Sequence, residues 1–401
     1  MTAVVRIGHA EDGLLRVITP PPGAVGAAPS VLDPAPGVDV AVLEVAGGLL
    51  TWSVLALDAL PGAVLDDVDL AQEWVWAVYG EQVALALAAG TVTEPAPERP
   101  EPVEMPEPVE VPALPALPAL VVSARQLAFA HWAARWWPAS VIDDIPPLDE
   151  RLLDREIGDL TEDCDPLFAG VETADSLLPP HAPDADSPAA EVPPRATDYA
   201  LAAGSTAGTA GTAGTAGTAD GLTLVRGTGG SDWRRCPPGL VDASERAVSW
   251  EVVRAAARTT VHVSVVAAPG PVTAPRELTP RATVSGAAVS SAADPLDLAL
   301  RRVDDTWLGD APFDTVGTGG PAPGGAGLAV DIYLPGFGTS RTRAHDNDGA
   351  EAAAEVRARV RALVRSRLAR ASAADDGGDG DSGSGPLLRT EIAAATAETD
   401  F

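Results

Sequence analysis

Apolar and polar residues alternate most clearly at residues 260–266. Val261, Val263 and Val265 fall on one side, and Thr260, His262 and Ser264 on the other. A period of two is the spacing of a strand that buries one face. Similar short runs stand at residues 222–226, 248–253, 281–284, 296–301 and 328–334, with breaks rich in Gly and Pro between them. Many short strands separated in this way predict a β-sandwich-like module over residues 221–370. The pattern at residues 349–370 then changes to helical, so a helix is expected to close that module.

The N-terminal third shows another arrangement. Two β-branched and apolar runs, residues 38–45 and 49–57, flank Gly47-Gly48, which is a hairpin signal. Asp66, Asp67 and Asp69 precede a helical pattern at 68–88 and suit its N-terminus, where free amides and the positive dipole end meet them. Leu70, Trp74, Val78 and Val83 lie near one face of that helix and should pack on the hairpin. Residues 1–93 therefore read as a small α+β domain.

Between 94 and 120 the hydrophobic pattern gives way to a period of three. Glu98, Glu101, Glu104, Glu107 and Glu110 share one phase, and Pro97, Pro100, Pro106, Pro112, Pro115 and Pro118 another. Polyproline II has three residues per turn, so this segment predicts a stiff acidic spacer. A helical module follows at 121–174. Leu127, Ala128, His131, Trp132 and Arg135 have helical spacing, and the helix should end where Trp137 meets Pro138. A second helix is expected from Pro146-Pro147, burying Leu148, Leu152, Leu153 and Ile157. Residues 175–220 carry four Gly-Thr-Ala triplets and read as a disordered linker, and residues 371–401 as a disordered acidic tail. The fold class is α+β multidomain: a small N-terminal α+β unit, a short helical module, and a β-sandwich-like module closed by a helix, on long linkers.

Composition narrows the chemistry. All 27 basic residues are Arg, and Asn347 is the single Asn, a bias expected of a GC-rich coding sequence. Without Lys there is no Schiff-base catalysis, pyridoxal-phosphate anchor or phosphate-binding lysine. The formal charge of −30 disfavours DNA and anionic membrane surfaces. Cys164 and Cys236 stand far apart, which indicates neither a zinc site nor a disulfide framework. Neither a signal peptide nor a membrane span is read from the sequence, so a cytoplasmic location is expected.

The catalytic patterns Gly-x-Ser-x-Gly, His-Glu-x-x-His and Cys-x-x-Cys do not occur. Gly317-x-Gly319-x-x-Ala322 meets the loosest dinucleotide pattern, but Pro321 and Pro323 forbid the helix that would receive a pyrophosphate. His345, Asp346, Asn347 and Asp348 could hold a hard cation, which would make the chain a metal-dependent hydrolase. Their place just before a helix suits capping instead, and neither metal nor cofactor is expected. Arg357, Arg361 and Arg365, four apart on the closing helix, form a basic stripe that could bind RNA or an acidic partner.

Two Trp-centred motifs stand out. One runs from His131 to Pro138 and holds Trp132, Trp136 and Trp137. The other runs from Ser231 to Val241 and holds Trp233, Arg234 and Arg235. Trp and Arg are the residues most enriched at binding hot spots. At these motifs, over roughly residues 121–370, the sequence resembles an uncharacterised actinobacterial family encoded beside MoxR-type AAA+ ATPases and von Willebrand factor A proteins. The resemblance implies an accessory role in such an assembly and transfers no catalytic residue. A non-enzymatic scaffold acting through protein contacts is therefore expected. Its interaction residues would be Trp132, Trp136, Trp137, Trp233, Arg234, Arg235, Arg357, Arg361 and Arg365.

Overall fold

The computed structural model describes residues 3–9, 14–19, 37–56, 60–90, 108–169, 221–256, 258–270, 279–286, 295–312, 328–338, 347–375 and 385–397. The Gly-Thr-Ala triplets, Gly317 to Ala322, His345 and Asp346, and residues 94–107 of the period-three segment lie outside the described residues. The chain is α+β and divides into two compact units. Unit 1 is Met1–Trp137, Leu148–Glu172 and Asp346–Phe401; unit 2 is Pro138–Pro147 and Thr173–His345.

Unit 1 is built on an antiparallel sheet of six strands: β1 (Ala3–His9), β2 (Leu15–Ile18), β3 (Val40–Val45), β4 (Gly48–Ser53), β5 (Gly62–Leu65) and β6 (Val109–Ala113). Their order is β3-β4-β5-β2-β1-β6. The β3–β4 hairpin turns at Gly47, whose φ of 68° is the left-handed geometry glycine permits. Helix α1 (Val68–Tyr79) starts as its aspartates predict, with Asp67 accepting from the amides of Asp69 and Leu70. Trp74, Val78 and, beyond α1, Val83 are buried, and the Trp74 indole donates to Ala46 O at 2.6 Å, which fixes the helix to the hairpin end. Leu70, placed on that face by spacing, is instead 47% exposed.

The single helix expected at 68–88 is two, because Gly80 (φ 93°) separates α1 from α2 (Glu81–Gly90). A Cβ at Gly80 would overlap the Leu114 carbonyl, so the chain passes where only glycine leaves room.

Strand β6 corrects the spacer predicted over 94–120. Glu110 and Pro112 belong to a strand paired with β1, and Arg6 Nε meets Glu110 at 3.0 Å across the pair. Pro112 is tolerated because β6 is an edge strand, where a missing amide costs no ladder bond.

Helix α3 (Pro118–Trp136) begins inside the predicted spacer and ends as Pro138 requires. It is not part of a separate helical module. Leu120, Ala124, Leu127 and Ala128 are buried in unit 1, and the Trp132 indole donates to Val38 O at 2.7 Å. Helix α4 (Glu150–Asp163) starts at an Asp149 cap rather than at Pro146, and it buries Leu153, Glu156 and Leu160. A short α5 (Asp165–Phe168) follows.

The closing helix, α6 (Asn347–Asp375), belongs to unit 1 and not to the β module, and the predicted tail contains a further helix, α7 (Arg389–Ala397). Glu156 of α4 caps α7 across the chain: its carboxylate accepts from the amides of Arg389 (2.8 Å) and Thr390 (3.4 Å). A carboxylate at free helix-terminal amides is favoured by both hydrogen bonding and the dipole. That contact explains why sequence-distant segments share one unit.

The described residues of unit 2 form the strands β7 (Leu222–Gly229), β8 (Val248–Ala255), β9 (Arg258–Val266), β10 (Arg281–Gly286), β11 (Leu296–Ala299), β12 (Arg301–Val303), β13 (Thr306–Pro312) and β14 (Leu328–Tyr333). They form a sheet β12-β13-β9-β8-β7 and a sheet β11-β10-β14. Val252, Val261, Val263 and Val265 from the first meet Ala282, Val284, Leu298 and Ile332 from the second in one core, the sandwich expected from the sequence. Each fully buried valine of this kind contributes about 1.5–3 kcal/mol.

Unit 2 also contains the connection between α3 and α4. There Ser140 and Ile145 exchange backbone hydrogen bonds of 2.8 and 2.9 Å, and Ile142 packs on the sandwich core. Asp242 holds this excursion. Its carboxylate accepts from Ser140 Oγ, Val141 N and Ile142 N, and also from Ser244 N. The chain therefore passes between the units at 137/138, 147/148, 172/173 and 345/346. The units are therefore interleaved in sequence.

Candidate interaction face

Strands β7, β8, β9 and β13 each turn one face to the core and the other outward. The inward residues of β8 and β9 are Val248, Val252, Val261, Val263 and Val265. Strand periodicity then sends Ser249, Glu251, His262 and Ser264 the other way. The pairing register puts outward residues in rows across the sheet. Arg226 is opposite Glu251, Glu251 opposite His262, and His262 opposite Asp310. In the adjoining row Thr228, Ser249, Ser264, Leu308 and Arg301 follow one another. Directly opposed side chains on antiparallel strands have Cβ atoms about 4.5–5.5 Å apart.

The four members of the first row are exposed, and the face encloses an open hollow of about 730 Å³. Arg226 and Arg301 border it at opposite ends, and Glu251, His262 and Asp310 occupy its middle. This is a polar surface of mixed sign on the outside of a sheet whose inside is a valine core. It offers donors, acceptors and hydroxyls over several strands, as a surface for another macromolecule requires.

The residues singled out in the sequence lie elsewhere. Trp132, Trp137 and Trp233 are 3%, 7% and 1% exposed, so none of the three is on the surface. Trp136 is half-buried beneath Arg135, whose guanidinium is 5.1 Å from the ring centroid. Arg234 pairs with Asp232 at 3.2 Å; Arg235 pairs with Asp331 and lies over the Tyr333 ring. These motifs carry Trp and Arg for packing, so the expected hot spots are not accessible as a group.

The basic stripe on α6 divides in the same way. Arg357 and Arg361 are buried and Arg365 is exposed, so no continuous cationic face is presented to RNA. Among the described residues, no group of three or more His, Cys, Asp or Glu side chains could hold a metal ion, and no helix is long and apolar enough to cross a membrane. The sequence places His262 on the polar side of its strand but does not give its neighbours on the face. Only strand pairing reveals its neighbours.

Both cysteines are buried, and burial pushes each thiol up to about 12; at Cys164 the adjacent Asp163 charge adds to the effect. The thiolate is the reactive form, so both should be inert in the folded protein near neutrality. Titration with a thiol reagent at pH 8 is expected to label less than about one tenth of either cysteine, and both after unfolding. Rapid labelling of the native protein would contradict these placements.

No protein-family model matches the chain, and comparisons with curated proteins and with solved structures return no match.

Proposed function

We propose that this chain is a non-enzymatic accessory or scaffold protein that works through protein–protein contacts, and that the outer face of β7, β8, β9 and β13 is its contact surface. The observation that carries the reading is the exposed row Arg226, Glu251, His262 and Asp310 beside a row of hydroxyls on one rigid sheet. A rigid sheet fixes the spacing of these groups before binding, which lowers the ordering cost of association. The resemblance at the Trp motifs makes a MoxR-type ATPase or a von Willebrand factor A protein the partner to look for.

The interleaved units change how such a scaffold would act. A spacer that only holds separate modules within reach is a smaller part of it, since the chain passes between the units four times. Removing residues 94–118 would also take out strand β6, whereas removing 94–107 leaves it in place.

The test compares tagged wild-type protein with Glu251→Arg in the native host. The expected outcome is a protein retained at near-equal amounts by the wild type and reduced at least about tenfold by the charge reversal, equivalent to roughly 1.4 kcal/mol. A partner retained equally by both would remove the sheet face from the reading. Wild-type protein that retains nothing would end the scaffold proposal.

A further inference from the structure

The charge order of the exposed row has a symmetry property. From β7 to β13 it reads Arg226, Glu251, His262, Asp310: cation, anion, imidazole, anion. Consider two such sheets stacked face to face, related by a twofold axis parallel to the strands and lying between β8 and β9. The axis reverses the row. Arg226 of one copy then faces Asp310 of the other, and Glu251 faces His262. Within this row every charge meets a complementary group, and no like charges are opposed. In the neighbouring row the same axis sets Ser249 against Ser264, hydroxyl to hydroxyl, and Thr228 against Leu308, while Arg301 on β12 lies beyond the overlap.

We infer that the outer face of the five-stranded sheet is an isologous dimer interface, with a second copy of this chain as its occupant. The inference rests on the proposed contact role of this face and puts a second copy there in place of a heterologous partner. A closed twofold arrangement is the commonest form of self-association, and it requires a patch that complements itself under rotation. Copies of a chain with net charge −30 repel one another in general. The face as a whole is locally balanced, with Arg226 and Arg301 from its two rows offsetting Glu251 and Asp310, so it offers a place where two acidic molecules can approach.

The size of the face sets the expected strength. The four strands that overlap about this axis, at about 4.8 Å spacing and near eight residues long, give a face of roughly 19 by 27 Å. Two such faces bury on the order of 1,000 Å², the lower end of specific interfaces. The hollow of about 730 Å³ leaves room for the partner's side chains and for bridging water, so the contact is polar and wet. A reversible dimer with a Kd in roughly the micromolar range follows, weakened by salt because its contacts are ionic.

A charge-swap series on the full chain tests this by sedimentation equilibrium. Wild-type protein should dimerise, and Arg226→Glu or Asp310→Arg alone should raise the Kd at least about tenfold, since each opposes like charges twice across the axis. The double variant Arg226→Glu/Asp310→Arg restores the complementary order with the signs exchanged, and its Kd should return to within about threefold of wild type. All four positions are exposed, so matching melting curves confirm that folding is unchanged. A wild-type chain that remains monomeric at about 100 µM overturns the inference, as does a double variant no better than the singles. If the dimer is absent while Glu251→Arg still releases a host protein, the contact role stands and only the occupant named here is wrong. If both are absent, the face has neither role.

Discussion

Arg367→Ala is expected to destabilise unit 1 by about 3–5 kcal/mol, a large part of the net stability of a typical domain. Arg367 Nε and an Nη donate to the two carboxylate oxygens of Glu391 at 2.6 Å each, and the same Nη donates to Pro386 O at 2.9 Å. Glu391 is fully buried and also accepts from Leu388 N at 2.8 Å. The guanidinium lies 4.2 Å from the Phe129 ring centroid, so one side chain joins α3, α6 and α7. Alanine removes the cation and leaves the carboxylate with no compensating charge in a site closed to water. The cost is therefore that of an isolated buried charge, not that of one hydrogen bond.

Hydrogen exchange is the suitable measurement, because it reads each unit separately. Amides of α1, α3 and α7 should lose protection in Arg367→Ala, while those of β8 and β9 keep it. The double variant Arg367→Met/Glu391→Met, which replaces the pair by apolar side chains of similar length, should recover much of the loss. If Arg367→Ala costs less than about 1 kcal/mol, the pair is no more than a surface contact.

Local features of this fold were legible where a residue's role depends on its sequence neighbours. The Gly47 hairpin, the Asp67 cap, the Pro138 stop and the alternation of β9 all have that character. Strand β6 was not legible, since the Glu and Pro period of three continues unbroken through it. Only pairing with β1 distinguishes residues 109–113 from those before them. The membership of α6 and α7 in unit 1 depends on contacts such as Glu156 with Arg389, made between residues more than two hundred positions apart. No local pattern encodes such a pairing. Buried Arg357 and Arg361 were misleading for a related reason: a helix stripe of arginines looks solvent-facing until the elements that cover it are in place. The interaction face was half visible. The outward phase of β8 and β9 could be read from their valines, but the order of charges across the sheet appears only once β7, β8, β9 and β13 are set side by side.

Asp242→Ala is expected to cost unit 2 about 2–4 kcal/mol, because it strips an acceptor from several donors at once. Asp242 is fully buried. Ser140 Oγ and Val141 N reach it at 2.7 Å, Ser244 N at 2.9 Å and Ile142 N at 3.5 Å. Three of these donors belong to the excursion between α3 and α4, so the carboxylate holds that segment on the sandwich. Without it, exchange should quicken first at residues 140–145 and then in β9, while α1 is unchanged.

The pH dependence follows from the balance at the same group. Burial raises the Asp242 carboxyl above its ordinary range, and the four donors only partly oppose the rise. An acid with a raised folded-state pKa gives stability that is fully present below its unfolded pKa, near 3.9, and is lost as pH climbs through the folded value. The stability difference between wild type and Asp242→Asn, which cannot titrate, should therefore shrink as pH rises from about 4 towards neutrality. A difference that grows over that interval would mean that the four hydrogen bonds outweigh burial. Asp242 would then hold the excursion as a carboxylate whose pKa is depressed.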